Sequence, residues 1–282
     1  MPTIGETVSD LTLRFAAAGI DNPRLDARVL TAHVLDLPPE GLFSRAGDPF
    51  PTAQAAALDA VVARRLRREP VSRIRGFREF YGLDFQIGPA TLDPRPDTET
   101  IVEAALRLRV PGKAAQILDL GTGSGCILLA ILSAWPEARG VGIDLAADAV
   151  EVARGNANRL GLAQRATFVQ GDWCEGLIGR FDVIVSNPPY IPDGDIPSLE
   201  PEVCDFEPPA ALRGGKDGLD AYRALAPQFP ARLEAGGTVL LEVGQGQAQD
   251  VAEILAAHEL PHAAFYEDLG GVTRVVAASV RV

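Results

Sequence analysis

Residues 186–190, Ser-Asn-Pro-Pro-Tyr, carry an amide, two rigid carbonyls and an aromatic ring directly after an apolar stretch. That stretch, residues 181–185, predicts a buried strand, which ends at the prolines because they have no N–H to donate to a sheet. The side-chain oxygen of Asn187 and the backbone carbonyl of Pro188 can accept hydrogen bonds, and Tyr190 offers a flat face. The candidate residues for catalysis and substrate binding are therefore Asn187, Pro188, Pro189 and Tyr190.

A glycine-rich turn at residues 117–126, Ile-Leu-Asp-Leu-Gly-Thr-Gly-Ser-Gly-Cys, predicts a ligand site between a strand and a helix. Glycines allow a tight turn and a close approach of ligand to backbone. A dinucleotide fingerprint would require glycine where the chain has Cys126. The pattern fits S-adenosylmethionine better, because this ligand has no phosphates and its carboxylate can face the helix N-terminus. The predicted contacts are Gly121, Thr122, Gly123, Ser124 and Gly125.

Two further strand ends carry polar or aromatic groups that suit the same ligand. Asp144 ends the next strand, 23 residues after Gly121, and can accept hydrogen bonds from both ribose hydroxyls. Asp172 and Trp173 follow a third strand, where the indole can stack on adenine and the carboxylate can bond beside it. The carboxyl ends of parallel strands share one sheet edge, so these features predict a single donor site.

Three organisational parts follow from the periodicity of apolar residues. Residues 1–73 show helical spacing and predict a small N-terminal helical domain. Residues 74–92 alternate around Gly82 and predict a β-hairpin linker. Residues 93–282 alternate between strands and helices, which predicts an α/β, Rossmann-like domain with a mostly parallel seven-stranded sheet. Its last two strands have no helix between them, so we expect an antiparallel strand at the end.

Composition restricts the class of protein and its compartment. The 282 residues are 47% hydrophobic and 23% charged, which is typical of a soluble globular protein. No apolar run approaches the roughly 18 residues of a membrane span, and the N-terminus lacks the pattern of an export signal. The three cysteines, Cys126, Cys174 and Cys204, fit neither a disulfide framework nor a zinc site. We therefore expect a cytoplasmic protein without a metal site.

The charge is unevenly distributed. Residues 81–282 carry 15 basic and 28 acidic residues, a net charge of −13, which argues against a broad nucleic-acid surface. Residues 64–68, Arg-Arg-Leu-Arg-Arg, are a local exception. They fit a solvated helix face or a contact to RNA or an acidic partner.

Residues 94–99, Pro-Arg-Pro-Asp-Thr-Glu, precede a predicted helix and allow two interpretations. In the first, Asp97 caps the helix and the prolines provide a rigid entry. In the second, the segment shapes the donor pocket.

The Asn-Pro-Pro-Tyr sequence after the fourth strand resembles the amino-methyltransferases, which act on adenine N6, cytosine N4, guanine N2 or a glutamine amide. By this resemblance, Asn187 and the Pro188 carbonyl hold the N–H groups of a planar nitrogen, and Tyr190 lies against its plane. Orientation and electrostatics then carry the catalysis. A strong base is not needed before transfer, because the proton can leave afterwards. The motif alone does not choose between a nucleobase and a glutamine.

The rest of the chain resembles the release factor glutamine methyltransferase (PrmC/HemK) family over nearly its whole length. The segments that carry this resemblance are, in order, PRLDARVL (23–30), REFYGLDFQIGPATLDPRPDTETIVEAAL (78–106), SNPPYIP (186–192), EPPAALRGGKDGLDAYR (207–223) and LLEVGQGQ (240–247). The resemblance implies methylation of the glutamine in the Gly-Gly-Gln motif of class 1 peptide chain release factors, with S-adenosylhomocysteine as the second product. It also implies that Asn187 contacts the donor and that the helical domain helps dock the factor.

Two other functions were weighed against this one. A nucleic-acid amino-methyltransferase, acting on adenine N6 or guanine N2, predicts a basic groove, which the acidic charge of residues 81–282 disfavours. A non-enzymatic binding module predicts damage to the glycine turn or to Asn187, and both are intact.

Overall fold

A computed structural model describes residues 1–108 and 114–279 of the chain, which divides into two compact units. The helical unit comprises Met1–Phe77 and the short segment Pro201–Phe206. The α/β unit comprises Arg78–Glu200 and Glu207–Val282. Among the described helices, none is both long and apolar enough to cross a bilayer.

The helical unit is built around a small apolar core to which Phe15, Leu30 and Val62 contribute buried side chains. Its first helix begins with a capping box, in which Thr3 Oγ1 accepts from Glu6 N at 3.1 Å and Glu6 Oε2 accepts from Thr3 N at 2.7 Å. Its helices are α1 (Ile4–Ala17), α2 (Pro23–Val34), α3 (Gly41–Ser44), α4 (Ala55–Leu66), α5 (Val71–Arg75) and α9 (Pro201–Cys204).

A two-stranded hairpin follows, formed by β1 (Phe77–Phe80) and β2 (Leu83–Gln86). Phe80 and Phe85 are buried in the core of the α/β unit, with their rings edge-to-face and their centroids 6.2 Å apart. Residues 74–92, for which the sequence predicted a β-hairpin linker, contain this hairpin, and the chain from Arg78 onward belongs to the second unit. Burial of the two phenylalanine rings stabilises the hairpin against that unit's core.

The α/β unit contains a seven-stranded sheet in the order β5-β4-β3-β6-β7-β9-β8. Neighbouring strands are parallel from β5 to β7, and β9 is antiparallel to both β7 and β8. The predicted mostly parallel sheet with a terminal antiparallel strand is therefore confirmed. The strands are β3 (Gln116–Leu120), β4 (Arg139–Asp144), β5 (Ala166–Gln170), β6 (Phe181–Ser186), β7 (Leu233–Glu242), β8 (His262–Glu267) and β9 (Thr273–Ser279).

Helices cover both faces of this sheet, because successive strand side chains point in opposite directions. On β3, Ile117 joins one core, whereas Leu118 and Leu120 join the other. The first core is shared with α7 and α8, and the second with α10 and α12. The helices are α6 (Glu99–Arg107), α7 (Cys126–Ala134), α8 (Ala147–Arg159), α10 (Asp220–Leu225), α11 (Phe229–Arg232) and α12 (Ala248–Ala256).

The register of the parallel strands brings the candidate residues to one edge. Leu120 at the end of β3 pairs with Ile143 on β4 and with Ser186 on β6. The Ser186 hydroxyl also donates to the Leu120 carbonyl at 2.7 Å, which ties the ends of β3 and β6 together. The loops after these strands therefore begin at the same level of the sheet.

Candidate active site

The glycine turn after β3 depends on left-handed backbone at Gly121, Gly123 and Gly125, with φ of 70°, 54° and 79°. The amides of Gly121 and Thr122 both donate to the Ile143 carbonyl at 2.9 Å, which holds the turn against the end of β4. A Cβ added to Gly125 would lie 3.2 Å from side chains of α7, α8 and β5. Gly125 thus permits close packing of helix and strand.

Asp144 is already oriented by the backbone around it. Its Oδ2 accepts from Gly123 N at 2.8 Å and its Oδ1 accepts from Ala146 N at 2.9 Å. A carboxylate has about four acceptor sites, so each oxygen retains capacity for a ligand hydroxyl. The carboxylate can therefore receive two hydroxyl groups while still stabilising the glycine turn.

A cavity of about 580 Å³ opens at this edge of the sheet. The predicted residues that line it are Gly121, Thr122, Gly123, Ser124, Asp144, Asp172, Trp173, Asn187 and Pro189. Trp173 adopts a left-handed backbone conformation, with φ of 47°. A Cβ added to Gly121 would lie 3.7 Å from Cζ3 of the Trp173 ring, so the ring lies against the glycine turn. A flat aromatic surface, a carboxylate and exposed backbone therefore face one space.

Three predicted residues have other surroundings. Gly125 packs between helix and sheet, Pro188 is buried, and Tyr190 is held behind the cavity wall by its neighbours. The Tyr190 carbonyl accepts from Gln247 Nε2 at 3.0 Å, and its hydroxyl donates to Glu242 Oε1 at 3.4 Å. Burial raises the pKa of Tyr190 well above its ordinary value, so this phenol remains a donor.

Residues 94–99 contribute to the cavity wall. Pro94, Arg95 and Thr98 line the cavity, and Thr98 Oγ1 accepts from Asn187 Nδ2 at 3.3 Å. Asp97 does not cap the helix as the sequence suggested, since Thr98 holds the cap position and makes no side-chain cap bond. The Asp97 carboxylate instead pairs with Arg274 at 2.7 Å. The attraction of a guanidinium accounts for this difference.

Sequence reasoning missed several polar residues that support the cavity. Glu207 accepts from Arg95 Nη2 at 3.0 Å and from Asp93 N at 3.2 Å, which braces the entry segment. Asp119 accepts from Thr122 Oγ1 at 2.6 Å, and burial raises the pKa of Asp119 to about 7. These residues lie in sequence segments that the sequence analysis had already singled out. The segments did not indicate which side chains form hydrogen bonds with each other.

Cys126 also lines the cavity, at the start of α7. Burial raises the pKa of its thiol to about 12, so the thiolate that a nucleophile requires is not formed near neutral pH. Cys126 is therefore a packing residue in this wall rather than a nucleophile.

Solved structures share this fold. The 16S rRNA N2 G1207 methyltransferase of T. thermophilus, solved with AdoMet and guanosine, aligns with a TM-score of 0.52 and 21% identity over 73% of this chain and 50% of that one. A methyltransferase from Pyrococcus furiosus aligns with a TM-score of 0.53 and 20% identity over 71% of this chain and 89% of that one. The fold and the glycine turn define a class I methyltransferase.

Sequence relatives narrow the class to a family. Residues 6–76 match the PrmC N-terminal domain, and residues 99–198 match the methyltransferase small domain. A release factor glutamine methyltransferase of Rhodospirillum rubrum is 53% identical over 95% of this chain and 82% of its own length. One of Bradyrhizobium diazoefficiens is 47% identical over 98% of this chain and 96% of its own length. The chain belongs to the release factor glutamine methyltransferase family.

Proposed function

We propose that this protein transfers a methyl group from S-adenosylmethionine to the side-chain amide nitrogen, N5, of the glutamine in the Gly-Gly-Gln motif of class 1 peptide chain release factors. The product modulates translation termination. The observation that carries the proposal is the position of Asn187 in the cavity wall beside the glycine turn, in a chain 53% identical to a release factor glutamine methyltransferase.

The residues of the cavity fit the methyl donor. The left-handed glycines leave backbone open to the ligand, and Trp173 supplies a flat apolar surface against Gly121. Asp144 retains acceptor sites for the ribose hydroxyls, and Asp172 lies at the same wall. When bound, S-adenosylmethionine supplies an electrophilic methyl group on a cationic sulfonium.

The chain contributes orientation to the reaction. Asn187 Oδ1 and the Pro188 carbonyl accept the two N–H groups of the substrate amide, which fixes its plane and turns its lone pair toward the methyl group. Pro189, which lines the cavity, shapes the surface on which the amide lies, and Tyr190 supports this wall from behind. The new N–CH₃ bond replaces one N–H bond, the proton leaves to solvent, and S-adenosylhomocysteine is released.

The release factor is the protein partner in this proposal, and the helical domain, residues 1–73, contributes to its docking. Translation factors are encountered in the cytoplasm, which is the proposed location. The arginines of residues 64–68 give little support to an RNA contact, because three of them form ion pairs within the helical unit. Arg64 pairs with Glu69 at 2.5 Å, and Arg65 and Arg68 pair with Glu202 at 2.9 Å and 2.8 Å.

The test incubates the purified protein with labelled S-adenosylmethionine, a class 1 release factor, and DNA or RNA. We expect one added methyl group on the Gly-Gly-Gln peptide by mass spectrometry. Label in nucleic acid and not in that peptide would replace the proposal with the nucleic-acid alternative.

Asn187→Ala tests the role of the amide directly. We expect a loss of transfer of about 100-fold or more, since one preorganised acceptor is removed. Donor affinity, measured by calorimetry, should stay within about threefold, because the glycine turn and Asp144 remain. If donor binding and thermal stability fall together with transfer, Asn187 is mainly structural.

A further inference from the structure

Gln247 lies directly before α12, where its side chain joins three segments of the α/β unit. Its Oε1 accepts from the backbone amide of Gly244, after β7, at 2.9 Å. Its Nε2 donates to the Tyr190 carbonyl at 3.0 Å and to the Gly218 carbonyl, before α10, at 3.4 Å. Among the described residues, the Gln247 side chain makes no other hydrogen bond. It therefore connects the loop that carries Asn187 to two segments that are distant from it in the sequence.

The surroundings of Gln247 determine which end of its amide faces Tyr190. The backbone N–H of Gly244 can only donate, so it requires the oxygen of the Gln247 side chain. The carbonyls of Tyr190 and Gly218 can only accept, so they require its NH₂ group. The backbone of Gln247 also donates to the Gly244 carbonyl at 3.1 Å, which holds the two residues together at a second point. This position therefore requires a side chain with one acceptor end and one donor end.

Two glycines leave room for the contact between Gln247 and Tyr190. A Cβ added to Gly244 would lie 2.7 Å from Gln247 Oε1 and 3.1 Å from Tyr190 Cδ2. A Cβ added to Gly218, whose φ is 78°, would collide with the Tyr190 carbonyl oxygen and with Gln247 Nε2. The amide of Gln247 and the backbone of Tyr190 are thus closely packed between these glycines.

The backbone of the Asn187–Tyr190 loop has few ways to be held in place. The two prolines in it have no N–H groups to donate, and their rings fix φ at about −65°, so the loop is stiff. Its first end is tied to β3, because the hydroxyl of Ser186 donates to a carbonyl of that strand at 2.7 Å. The hydrogen bond from Gln247 to the Tyr190 carbonyl ties its other end. A stiff loop held at both ends has a defined position relative to the cavity.

We propose that Gln247 is a positioning residue for methyl transfer, which holds the Tyr190 carbonyl and thereby places the acceptor oxygens of Asn187 and Pro188 against the substrate amide. This inference rests on the proposed function, because it assumes a substrate that donates N–H groups. The described lining of the cavity does not include Gln247, so this residue acts through the loop and not by contact with the donor or the substrate.

Gln247→Glu keeps the acceptor end of the side chain and makes its other end titratable. An ionised carboxylate has no hydrogen for the Tyr190 carbonyl, and its charge repels the partial charges of this carbonyl and of the Gly218 carbonyl. A protonated carboxyl group can donate to Tyr190 while it accepts from Gly244. Gln247 is half-buried, and burial beside two carbonyls should raise the pKa of the introduced group above its ordinary value of about 4.3. Acid should therefore restore the contact.

Other titrating groups near Gln247 are common to the wild type and the variant. Residues 187–190, 214–220 and 242–251 contain six titratable side chains, which are Tyr190, Lys216, Asp217, Asp220, Glu242 and Asp250. In the described parts of the chain none of these side chains hydrogen-bonds to Gln247, and Asp217 and Asp220 pair with Arg223 at 2.6 Å and 3.1 Å. Their own titration should therefore cancel when the variant is compared with the wild type at the same pH.

The test compares Gln247→Glu with Gln245→Glu, which introduces the same charge at an exposed position two residues away. Methylation of the release factor is measured at pH 5.5 and pH 8, and kcat of each variant is divided by that of the wild type at the same pH. For Gln247→Glu we expect kcat to be about 10- to 100-fold below the wild type at pH 8, with most of this loss recovered at pH 5.5. KM for the factor and donor affinity should each change less than about threefold, because the cavity residues remain. Gln245→Glu should stay within about twofold at both pH values.

Three results would overturn the proposal. They are a kcat of Gln247→Glu that matches the wild type at pH 8, a loss that is equal at both pH values, and a loss of donor affinity in parallel with kcat. Circular dichroism identifies a variant that does not fold. In that case Gln247→Met, which keeps the length of the side chain and removes both polar ends, carries the test. A loss of kcat of about 10- to 100-fold at both pH values supports the proposal, and a kcat within about twofold of the wild type overturns it.

The proposed function can fail independently of this inference. It fails if the wild-type chain methylates nucleic acid and not the release factor. An exocyclic amine of a nucleobase also donates N–H groups, so the same variants measured on that substrate still decide whether Gln247 positions the loop.

Discussion

The carboxyl group of Glu242 should make the folded protein less stable at alkaline pH. Burial raises its pKa to about 7 from the usual 4.5, so between these values the folded chain holds a proton that the unfolded chain has released. The stability from this group is fully present below about pH 4.5 and is lost as the pH rises through about 7. The difference corresponds to a ceiling of about 3 kcal/mol at pH 8.

Glu242→Gln should therefore gain stability relative to the wild type as the pH increases. The measurement is urea unfolding of both chains at pH 5 and pH 8. Asp119, whose pKa burial also raises to about 7, is present in both chains and cancels in the comparison. Glu234→Gln, half-buried on the same strand, controls for the change in net charge. An equal stability difference at both pH values would contradict the raised pKa.

The sequence predicted several of the residues that line the cavity, but it did not predict their hydrogen-bond partners. Asn187, Asp144 and the glycines were found because each follows a recognisable strand. Their positions were predictable from strand periodicity and topology alone. The bonds from Asn187 to Thr98 and from Tyr190 to Glu242 join residues 89 and 52 positions apart. Such pairs depend on the three-dimensional packing of the elements that carry them, which local patterns do not encode.

At the scale of elements, the segment before α10 and the segment after β7 hold the Asn187–Tyr190 loop in place. Ile191 N donates to the Leu212 carbonyl at 3.0 Å, and Gly214 N donates to the Ile191 carbonyl at 2.8 Å. Gln247 Nε2 reaches the Tyr190 carbonyl from the start of α12. These contacts explain why segments distant in sequence accompany the Asn-Pro-Pro-Tyr motif.

Gly214→Ala should displace this loop. A Cβ at Gly214 would lie 2.8 Å from Tyr190 Cα and from Gly218 Cα, both backbone atoms that cannot yield by a rotamer change. We expect kcat/KM to fall about tenfold or more, because a shift of about 1 Å in a positioning group can cost up to about 100-fold. Steady-state kinetics on the Gly-Gly-Gln peptide or intact factor measures the change.

Gly194→Ala is the matched control for this variant. Gly194 is exposed shortly after this loop in the sequence, its φ is not left-handed, and its Cβ would meet no atom within 4 Å. We expect it to keep kcat/KM within about twofold of the wild type, as for most exposed substitutions. If Gly214→Ala also keeps kcat/KM within about twofold of the wild type, the backbone around Tyr190 tolerates displacement and the prediction is wrong.

The element boundaries themselves were predictable to a limited degree. The alternation of strands with helices over residues 93–282 predicted the mostly parallel sheet. In the structure β3, β6 and β7 contribute apolar side chains to both cores. The interpretation in which Asp97 caps α6 was wrong, since a short 3-10 turn over Pro96–Thr98 precedes the helix and the Asp97 carboxylate pairs with Arg274. An ion pair with a distant strand overrode the local capping preference.

At the scale of the whole molecule, the basic stretch at residues 64–68 forms ion pairs that stabilise the helical unit. Arg65 is 6% exposed and pairs with Asp26 at 2.7 Å and with Glu202 at 2.9 Å. Arg68 also pairs with Glu202 and donates to the Gly19 carbonyl. The segment Pro201–Phe206, which comes from much later in the sequence, thus completes this unit. Sequence alone predicted neither the segment nor its ion pairs, because apolar periodicity does not report charge partners.

Arg65→Ala should destabilise the helical unit strongly. It leaves the carboxylates of Asp26 and Glu202 partly buried without their shared guanidinium, and the loss of one partner from such a cluster costs about 3 kcal/mol or more. Hydrogen exchange should show faster exchange in the amides of α1, α2, α4 and residues 201–206, with the amides of β3 and β4 as an internal reference. Arg67→Ala removes an exposed arginine from the same stretch and should change stability by no more than about 0.5 kcal/mol. If the two variants exchange alike, the charge cluster contributes nothing beyond a solvated helix face, and the stretch becomes available again for contact with an acidic partner.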